Sequence, residues 1–203
     1  MGSGCMKGFT LGLYEEFDIT PTSVYVGFSY CEPETDNCAS FTLALNADGM
    51  VRKYILSMYT TEGDMDVYVP DIYGFYAMYV NELSQAKPSA AGIRQVLNKY
   101  CTKAFAKQLQ NETLKKNLLL GSAQFDYRWL RSLEVHNMDT ATCTCIVNYK
   151  RADGKVVYKR IHLQLKRGSE YEYLISGVSD ADADDLDKKS QDGDENVESS
   201  PTE

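Results

Sequence analysis

The chain has 203 residues, of which 43% are hydrophobic and 25% charged, and its formal net charge is −8. These proportions are ordinary for a soluble globular protein, and no stretch approaches the roughly 20 apolar residues that a transmembrane helix needs. They exclude a collagen, a cysteine-dense miniprotein, a long coiled coil and an integral membrane span. The length is enough for one full domain with an accessory segment.

Charge divides the chain into three segments. Residues 1–86 hold 3 basic and 12 acidic side chains, residues 87–178 hold 16 and 7, and residues 179–203 hold 2 and 10, so the net charges are −9, +9 and −8. We therefore predict an acidic β-rich N-terminal segment, a basic α+β domain and an acidic tail. The two halves of the body either pack on each other with complementary fields, or the basic half faces an acidic partner.

The tail, residues 179–203, has very few apolar side chains. Such a segment cannot bury enough surface to offset the entropy of ordering, so we predict that it is disordered. It either attracts a basic partner electrostatically or serves as an extension that increases solubility.

The N-terminal segment begins with strand patterns. Residues 24–30 and 41–45 read as strands, and Asn46–Gly49 is typical of a hairpin turn because its glycine tolerates a positive φ. The return strand is predicted from residue 50 to about residue 60.

Two of the six cysteines, Cys31 and Cys38, bracket an acidic turn-rich loop between these strands. A hairpin would bring them to bridging distance, and a disulfide would imply an oxidising compartment; two free thiols are the alternative. No secretory signal is recognisable. Two localisations stay open: cytoplasmic for the chain as written, or the bacterial periplasm or cell envelope if a signal has been removed.

Pro70 and Asp71 predict the start of a helix, because proline suits the first turn and aspartate suits the positive end of the helix dipole. The helix carries Tyr73, Tyr76 and Tyr79. Tyrosines anchor many interfaces, so these three are candidate binding residues. A tyrosine-rich core packed on a sheet is the alternative interpretation.

Lys87–Ser89 is the predicted internal boundary, and Ser89 is a candidate cap for a helix with an apolar stripe that ends at Tyr100. A second helix should begin after Thr102. From residue 132 to 178 the pattern indicates four strands. Two glycine-containing turns join the last three of these strands. The strands are predicted at 132–138, 141–150, 155–166 and 170–178, and Cys143 and Cys145 should lie on one face of the second of them.

The run from Val96 to Leu109, which contains Lys99–Thr102, resembles the helix pair of small NTF2-like proteins of Bacteroides-type bacteria, in particular the DUF3828-type group. The segment 118–124, the Trp129 region and the strands up to Val178 are similar to the later segments of proteins in that group. The resemblance covers about residues 88–178. It implies an α+β fold in which a curved antiparallel sheet packs on helices around a cone-shaped pocket, with the N-terminal β-rich segment as an addition.

NTF2-like folds serve enzymes, ligand binders and immunity proteins alike, so the fold does not give the function. We expect a non-catalytic binding module that acts through a protein partner, for example an immunity or inhibitor protein. A small apolar ligand in the cone is the further binding alternative, and a homodimer stays open. The candidate binding residues are Tyr73, Tyr76, Tyr79, Tyr100, Trp129 and His162.

The alternative class is an isomerase- or dehydratase-like enzyme that uses the cone pocket. Its candidate acid–base groups are His162, Asp126 and Tyr127, chosen by residue type. Spacing predicts no metal site, because no Cys-x-x-Cys pair occurs and the chain has only two histidines. No cofactor is predicted. Nucleic acid is not expected as a partner, because the −9 segment and the −8 tail would repel it.

Overall fold

The computed structural model describes most of the chain from residue 10 to residue 187. The described residues are 10–12, 17–31, 33–34, 38–46, 54–61, 68–85, 87–110, 118–120, 127–170 and 172–187. Within them the fold is α+β, as predicted: two antiparallel sheets and a set of helices.

The first sheet comes from the N-terminal segment. Its strands are β1 (Thr10–Gly12), β2 (Phe17–Ile19), β3 (Ser23–Cys31), β4 (Cys38–Asn46) and β5 (Tyr54–Thr61). β1 and β2 pair with different halves of β3, and β4 lies between β3 and β5. The predicted strands at 24–30 and 41–45 are confirmed, and the return strand begins at Tyr54 rather than at residue 50. The predicted turn lies largely outside the described residues.

The helices follow the first sheet. They are α1 (Val69–Leu83), α2 (Ala90–Tyr100), α3 (Lys103–Gln110) and a 3₁₀ helix (Tyr127–Ser132). Ser89 caps α2 as predicted, because its Oγ accepts a hydrogen bond of 3.1 Å from the Gly92 amide. The predicted boundary at 87–89 is the connection between α1 and α2, yet one hydrophobic core continues across it from Tyr25 to Ile175.

The second sheet has the strand order β6 (Glu134–Asp139), β7 (Thr144–Lys150), β8 (Val156–Leu165) and β9 (Tyr173–Ala181). The four predicted strands are present. One detail is wrong: Cys143 precedes β7 in a turn, where its φ is 49°, so only Cys145 is a buried strand residue.

The end of the second sheet also differs from the prediction for the tail. β9 continues to Ala181, and a short helix, α4 (Asp184–Asp187), follows it. The predicted disorder from residue 179 is therefore wrong for residues 179–187. Residues 188–203 lie outside the described part of the chain.

Helix α1 is the centre of the molecule. All but one of its residues from Ile72 to Leu83 are buried, as expected for a helix that is packed on several sides. Near its C-terminal end, the Met78 carbonyl accepts a hydrogen bond from the Tyr25 hydroxyl of the first sheet. Near its start, the Tyr73 hydroxyl donates to the Leu133 carbonyl, just before β6. The helix thus joins the two sheets.

Candidate functional site

The tyrosines that were candidates for an exposed surface lie in the core. Tyr73, Tyr76 and Tyr79 are 6%, 0% and 2% exposed, and Tyr100 and Trp129 are 8% and 7% exposed. The alternative interpretation, a tyrosine-rich core packed on sheets, describes their environment. As folded, none of the five presents a ring surface to a partner.

An apolar crevice lies where the start of α1 and the end of α2 meet β8 and β9. It is lined by Tyr68, Asp71, Ile72, Tyr100, Leu163, Tyr173 and Ile175. The gap comprises about 200 Å³ between the atoms, part of it open to solvent, and it is too narrow to admit a water molecule. Burial raises the pKa of Tyr100 to about 12, although the nearby Lys99 opposes this shift. Of the predicted site residues, Tyr100 alone lines this crevice.

A buried carboxylate, Glu82, is the centre of a polar cluster between α1 and the first sheet. Glu82 is 0% exposed. Its Oε1 accepts hydrogen bonds from the Thr20 hydroxyl at 2.6 Å and the Tyr25 hydroxyl at 2.8 Å, and its Oε2 accepts one from the Thr22 hydroxyl at 2.6 Å. Three hydroxyl donors thus take the place of water around this charge, as a buried carboxylate requires.

The neighbouring Asn81 extends the cluster. Its Nδ2 donates to the Tyr25 hydroxyl at 2.8 Å, to Ser23 Oγ at 3.1 Å and to Asn46 Oδ1 at 3.1 Å. Gly92 of α2 leaves room for the carboxylate, because a Cβ at that position would lie 2.2 Å from Glu82 Oε2. These contacts join distant parts of the chain to one another, so the cluster fastens α1 to β3 and β4 and packs against α2.

Glu82 was not among the residues predicted from the sequence. A signal was present, because Glu82 and Asn81 are polar residues within an otherwise apolar run at the end of α1. Thr20, Thr22 and Ser23, which precede or begin β3, supply the complementary hydroxyl groups. Only their distance in sequence, about 60 residues, hid the pairing.

The second sheet has a core-facing side and an outer face. Cys145, Val147 and Ile161 belong to the core, so the alternate residues of β7 and β8 lie on the opposite side. We call this side the outer face. It carries His136 of β6, Ile146 of β7, and Tyr158, Arg160 and His162 of β8.

The side chains on the outer face shelter one another. Ile146 is only 8% exposed although it lies on this side, and its strand partners are His136 and Arg160. Tyr158, Arg160 and His162 are all partly buried. The small residues of β9 that lie opposite them, among them Gly177 and Ser179, leave this row open on one side.

Both histidines lie on the outer face. His162 Nε2 lies 3.0 Å from Ser179 Oγ on the neighbouring strand. His136 Nε2 is hydrogen-bonded to Asn148 Oδ1, and Asn148 Nδ2 donates to Glu134 at 3.1 Å. His162 therefore lies apart from the crevice. Of the other acid–base candidates, Asp126 lies outside the described residues, as does the side chain of Tyr127.

The start of the acidic tail folds back onto this face. Arg160 Nη2 donates to Asp185 Oδ1 at 3.0 Å, and the two side chains are 33% and 18% exposed. Asp182 and Asp185 also bond reciprocally, since each carboxylate accepts from the backbone amide of the other at 3.1–3.2 Å. This arrangement has the form of a capping box. The Asp185 carboxylate is thus shared between its own turn and Arg160.

The predicted disulfide pair is aligned by the backbone. Cys31 and Cys38 are direct partners in the β3–β4 register, a position at which cross-strand Cα atoms lie about 4.5–5.5 Å apart. Their side chains lie outside the described part of the chain. Cys101, Cys143 and Cys145 are thiols rather than members of disulfides. Among the described residues, no three His, Cys, Asp or Glu side chains form a group that could hold a metal ion.

No known protein family, curated protein or solved structure matches the chain. Among the helices within the described residues, none has the length and apolar character needed to cross a membrane.

Proposed function

We propose that the protein is a non-catalytic binding module of the NTF2-like kind, which acts through protein–protein contact in the manner of an immunity or inhibitor protein. The proposed contact surface is the outer face of the second sheet. Two features support it: the sequence resemblance over residues 88–178, and an α+β fold in which that region forms helices and an antiparallel sheet.

The observation that carries the proposal is the row Tyr158, Arg160 and His162 along one strand. All three side chains are partly buried on a face that the core does not use. Tyrosine and arginine are the residue types that most often dominate binding energy at protein interfaces, particularly where their surroundings are already partly desolvated. Ile146, which is buried beside this row on the neighbouring strand, gives the face an apolar centre with a polar rim.

The test is native mass spectrometry of the protein isolated gently from its own host, for the wild type and for Tyr158→Ala. We expect a stoichiometric protein adduct on the wild type and at least a tenfold smaller adduct fraction on the variant. Lys107→Ala, an exposed change on α3, is the control and should retain the adduct. An adduct that persists on Tyr158→Ala would contradict the proposed surface. A small-molecule adduct in place of a protein would favour the enzyme or ligand-binding alternative.

A further inference from the structure

We propose that the partner presents an acidic protein segment to Arg160, and that residues 182–187 of this chain occupy the same place in the free protein. This inference rests on the proposed function, because it names the partner chemistry of the same outer face. Its starting point is the ion pair in which Asp185 binds the Arg160 guanidinium at 3.0 Å.

Residues 182–187, which we call the resident segment, are held weakly enough for a partner to displace them. α4 has four residues, far fewer than an isolated helix needs for stability in water. It contacts the sheet through an ion pair whose two members are 33% and 18% exposed, and pairs at such partly solvated positions are weak. A partner segment that offers a carboxylate and additional contacts to Tyr158 or His162 can therefore replace it.

Charge complementarity identifies the occupant as acidic. The tail contributes Asp180 and Asp185 to two neighbouring basic residues of β8, Lys159 and Arg160, one on each side of the sheet. The Lys159 Nζ–Asp180 Oδ1 distance is 2.5 Å. On the outer face, Arg160 thus already binds a carboxylate of an aspartate-rich segment. A nucleic acid is the competing polyanion, and the −9 charge of residues 1–86 disfavours it.

The experiment measures binding of a labelled peptide with the sequence of residues 180–187 to the full-length chain by fluorescence anisotropy at physiological salt. The resident segment is tethered, so its effective concentration is in the millimolar range and the wild type should bind the free peptide weakly. Asp185→Asn removes the resident carboxylate, and we expect it to bind the peptide at least fivefold more tightly. Equal binding by the wild type and Asp185→Asn would overturn the inference.

Two double variants place the peptide on the surface. The double variant Asp185→Asn with Arg160→Gln should lose the increase in peptide affinity. The double variant Asp185→Asn with Arg167→Gln makes the same charge change on an exposed turn residue and should keep that increase. Arg160→Lys in the same background should bind with intermediate affinity, because lysine keeps the charge without the planar guanidinium group. Thermal unfolding followed by circular dichroism verifies that each variant is folded. A gain that survives Arg160→Gln would contradict the inference, as would tighter binding of a single-stranded oligonucleotide than of the peptide.

The inference and the proposed function fail separately. A protein adduct that depends on Tyr158, together with peptide binding that ignores Asp185 and Arg160, would overturn the acidic segment and leave the surface in place. The expected peptide result without a protein adduct would support the docking of residues 182–187 and contradict the proposed function.

Discussion

The protein satisfies two carboxylates in opposite ways. Glu82 is fully buried and accepts hydrogen bonds from three hydroxyl groups, which belong to residues about 60 positions away in the sequence. Asp185 is partly exposed, on a segment that follows the last strand, and its carboxylate accepts hydrogen bonds from the Arg160 guanidinium and the Asp182 backbone amide. The first arrangement cannot exchange its partners without opening the core, whereas the second can exchange with solvent or with another chain. The difference separates a structural cluster from a candidate binding contact.

A second contrast lies within α1. At the C-terminal end of the helix, Glu82, Asn81 and Met78 are hydrogen-bond partners of the Tyr25 hydroxyl, which comes from β3. Among the described residues, the buried Tyr76 hydroxyl has no hydrogen-bond partner; Tyr149, Cys145 and Cys101 lie near it. Helix α1 is thus held to the first sheet by a cluster of polar contacts and to the second sheet by apolar packing together with the single hydrogen bond from Tyr73 to Leu133. Buried polar networks contribute to stability only when they are complete, which makes the Glu82 end the more sensitive of the two.

The largest expected effect is that of Glu82→Ala. The change leaves three buried or partly buried hydroxyl groups without their acceptor and opens a cavity, so the free energy of unfolding should fall by roughly 3–5 kcal/mol. Urea denaturation measures it. Glu172→Ala, which removes an exposed carboxylate paired with Lys166, is the control and should cost less than about 1 kcal/mol. A loss below about 1 kcal/mol for Glu82→Ala would show that the cluster is not what holds α1 to the first sheet.

Gly92→Ala should destabilise the protein by about 1–3 kcal/mol. In an unobstructed helix, alanine is favoured over glycine by about 1 kcal/mol, but here the new Cβ would lie 2.2 Å from Glu82 Oε2 and must displace the carboxylate. Chemical denaturation again gives the value, and Gly27→Ala, where a Cβ meets nothing within 4 Å, is the matched change elsewhere. A stabilised Gly92→Ala variant would mean that the carboxylate can move away freely.

The loss of a hydroxyl group from each of two buried tyrosines should change the free energy of unfolding by a smaller amount, and the two changes should differ. Tyr25→Phe removes a hydroxyl with several partners and should cost about 1–2 kcal/mol. Tyr76→Phe removes an unpaired buried hydroxyl, so it should be neutral or should stabilise by up to about 1 kcal/mol. Equal losses for the two variants, measured by urea denaturation under one set of conditions, would contradict the contrast between the Glu82 cluster and the unpaired Tyr76 hydroxyl.

Alkaline pH should act through the buried phenols. Burial raises the pKa of Tyr25, Tyr76 and Tyr149 above the usual range and that of Tyr100 to about 12. Because the folded protein keeps these protons after the unfolded chain loses them, the stabilisation is fully present below pH 10 and is lost as pH rises through the folded pKa values. Tyrosinate absorbance and unfolding should therefore appear together above pH 10. Titration of all fifteen tyrosines near pH 10 in a folded protein would contradict this picture.

The smallest expected effect is chemical and requires no mutation. Burial raises the pKa of the Cys101 thiol to about 12, and Cys101 and Cys145 are 4% and 1% exposed. Cys143, in its turn, is less buried. Iodoacetamide labelling of the native protein followed by peptide mass spectrometry should modify Cys143 at least tenfold faster than the other two. Comparable rates would show that the core opens locally around α2 and β7.

Local patterns predicted most of the elements. The alternation around residues 24–30, the Ser89 cap and the four strands after residue 132 depend on neighbours in sequence, and the structure contains them. The end of β9 was missed because its backbone pairing with β8 continues to Ala181, opposite Tyr158, in residues whose composition alone favours disorder.

The candidate site was harder to predict from the sequence than the fold. The tyrosines of α1 suggested an interface because the residue type is frequent there, but a helix packed between two sheets buries nearly all its positions. His162 was singled out as a residue type, whereas the strand register is what places it beside Arg160 and Tyr158 on the outer face. Register between distant strands depends on pairing that no local window of sequence contains.

One pair of variants, Arg160→Gln and Arg167→Gln, tests the outer face as a contact surface through both stability and binding. The free energy of unfolding of both variants should lie within about 1 kcal/mol of the wild-type value, because each variant removes a charge that is partly or fully exposed. In native mass spectra of protein isolated from its own host, we predict that the protein adduct is lost from Arg160→Gln and retained on Arg167→Gln. An adduct retained equally on both variants would contradict a binding role for the outer face.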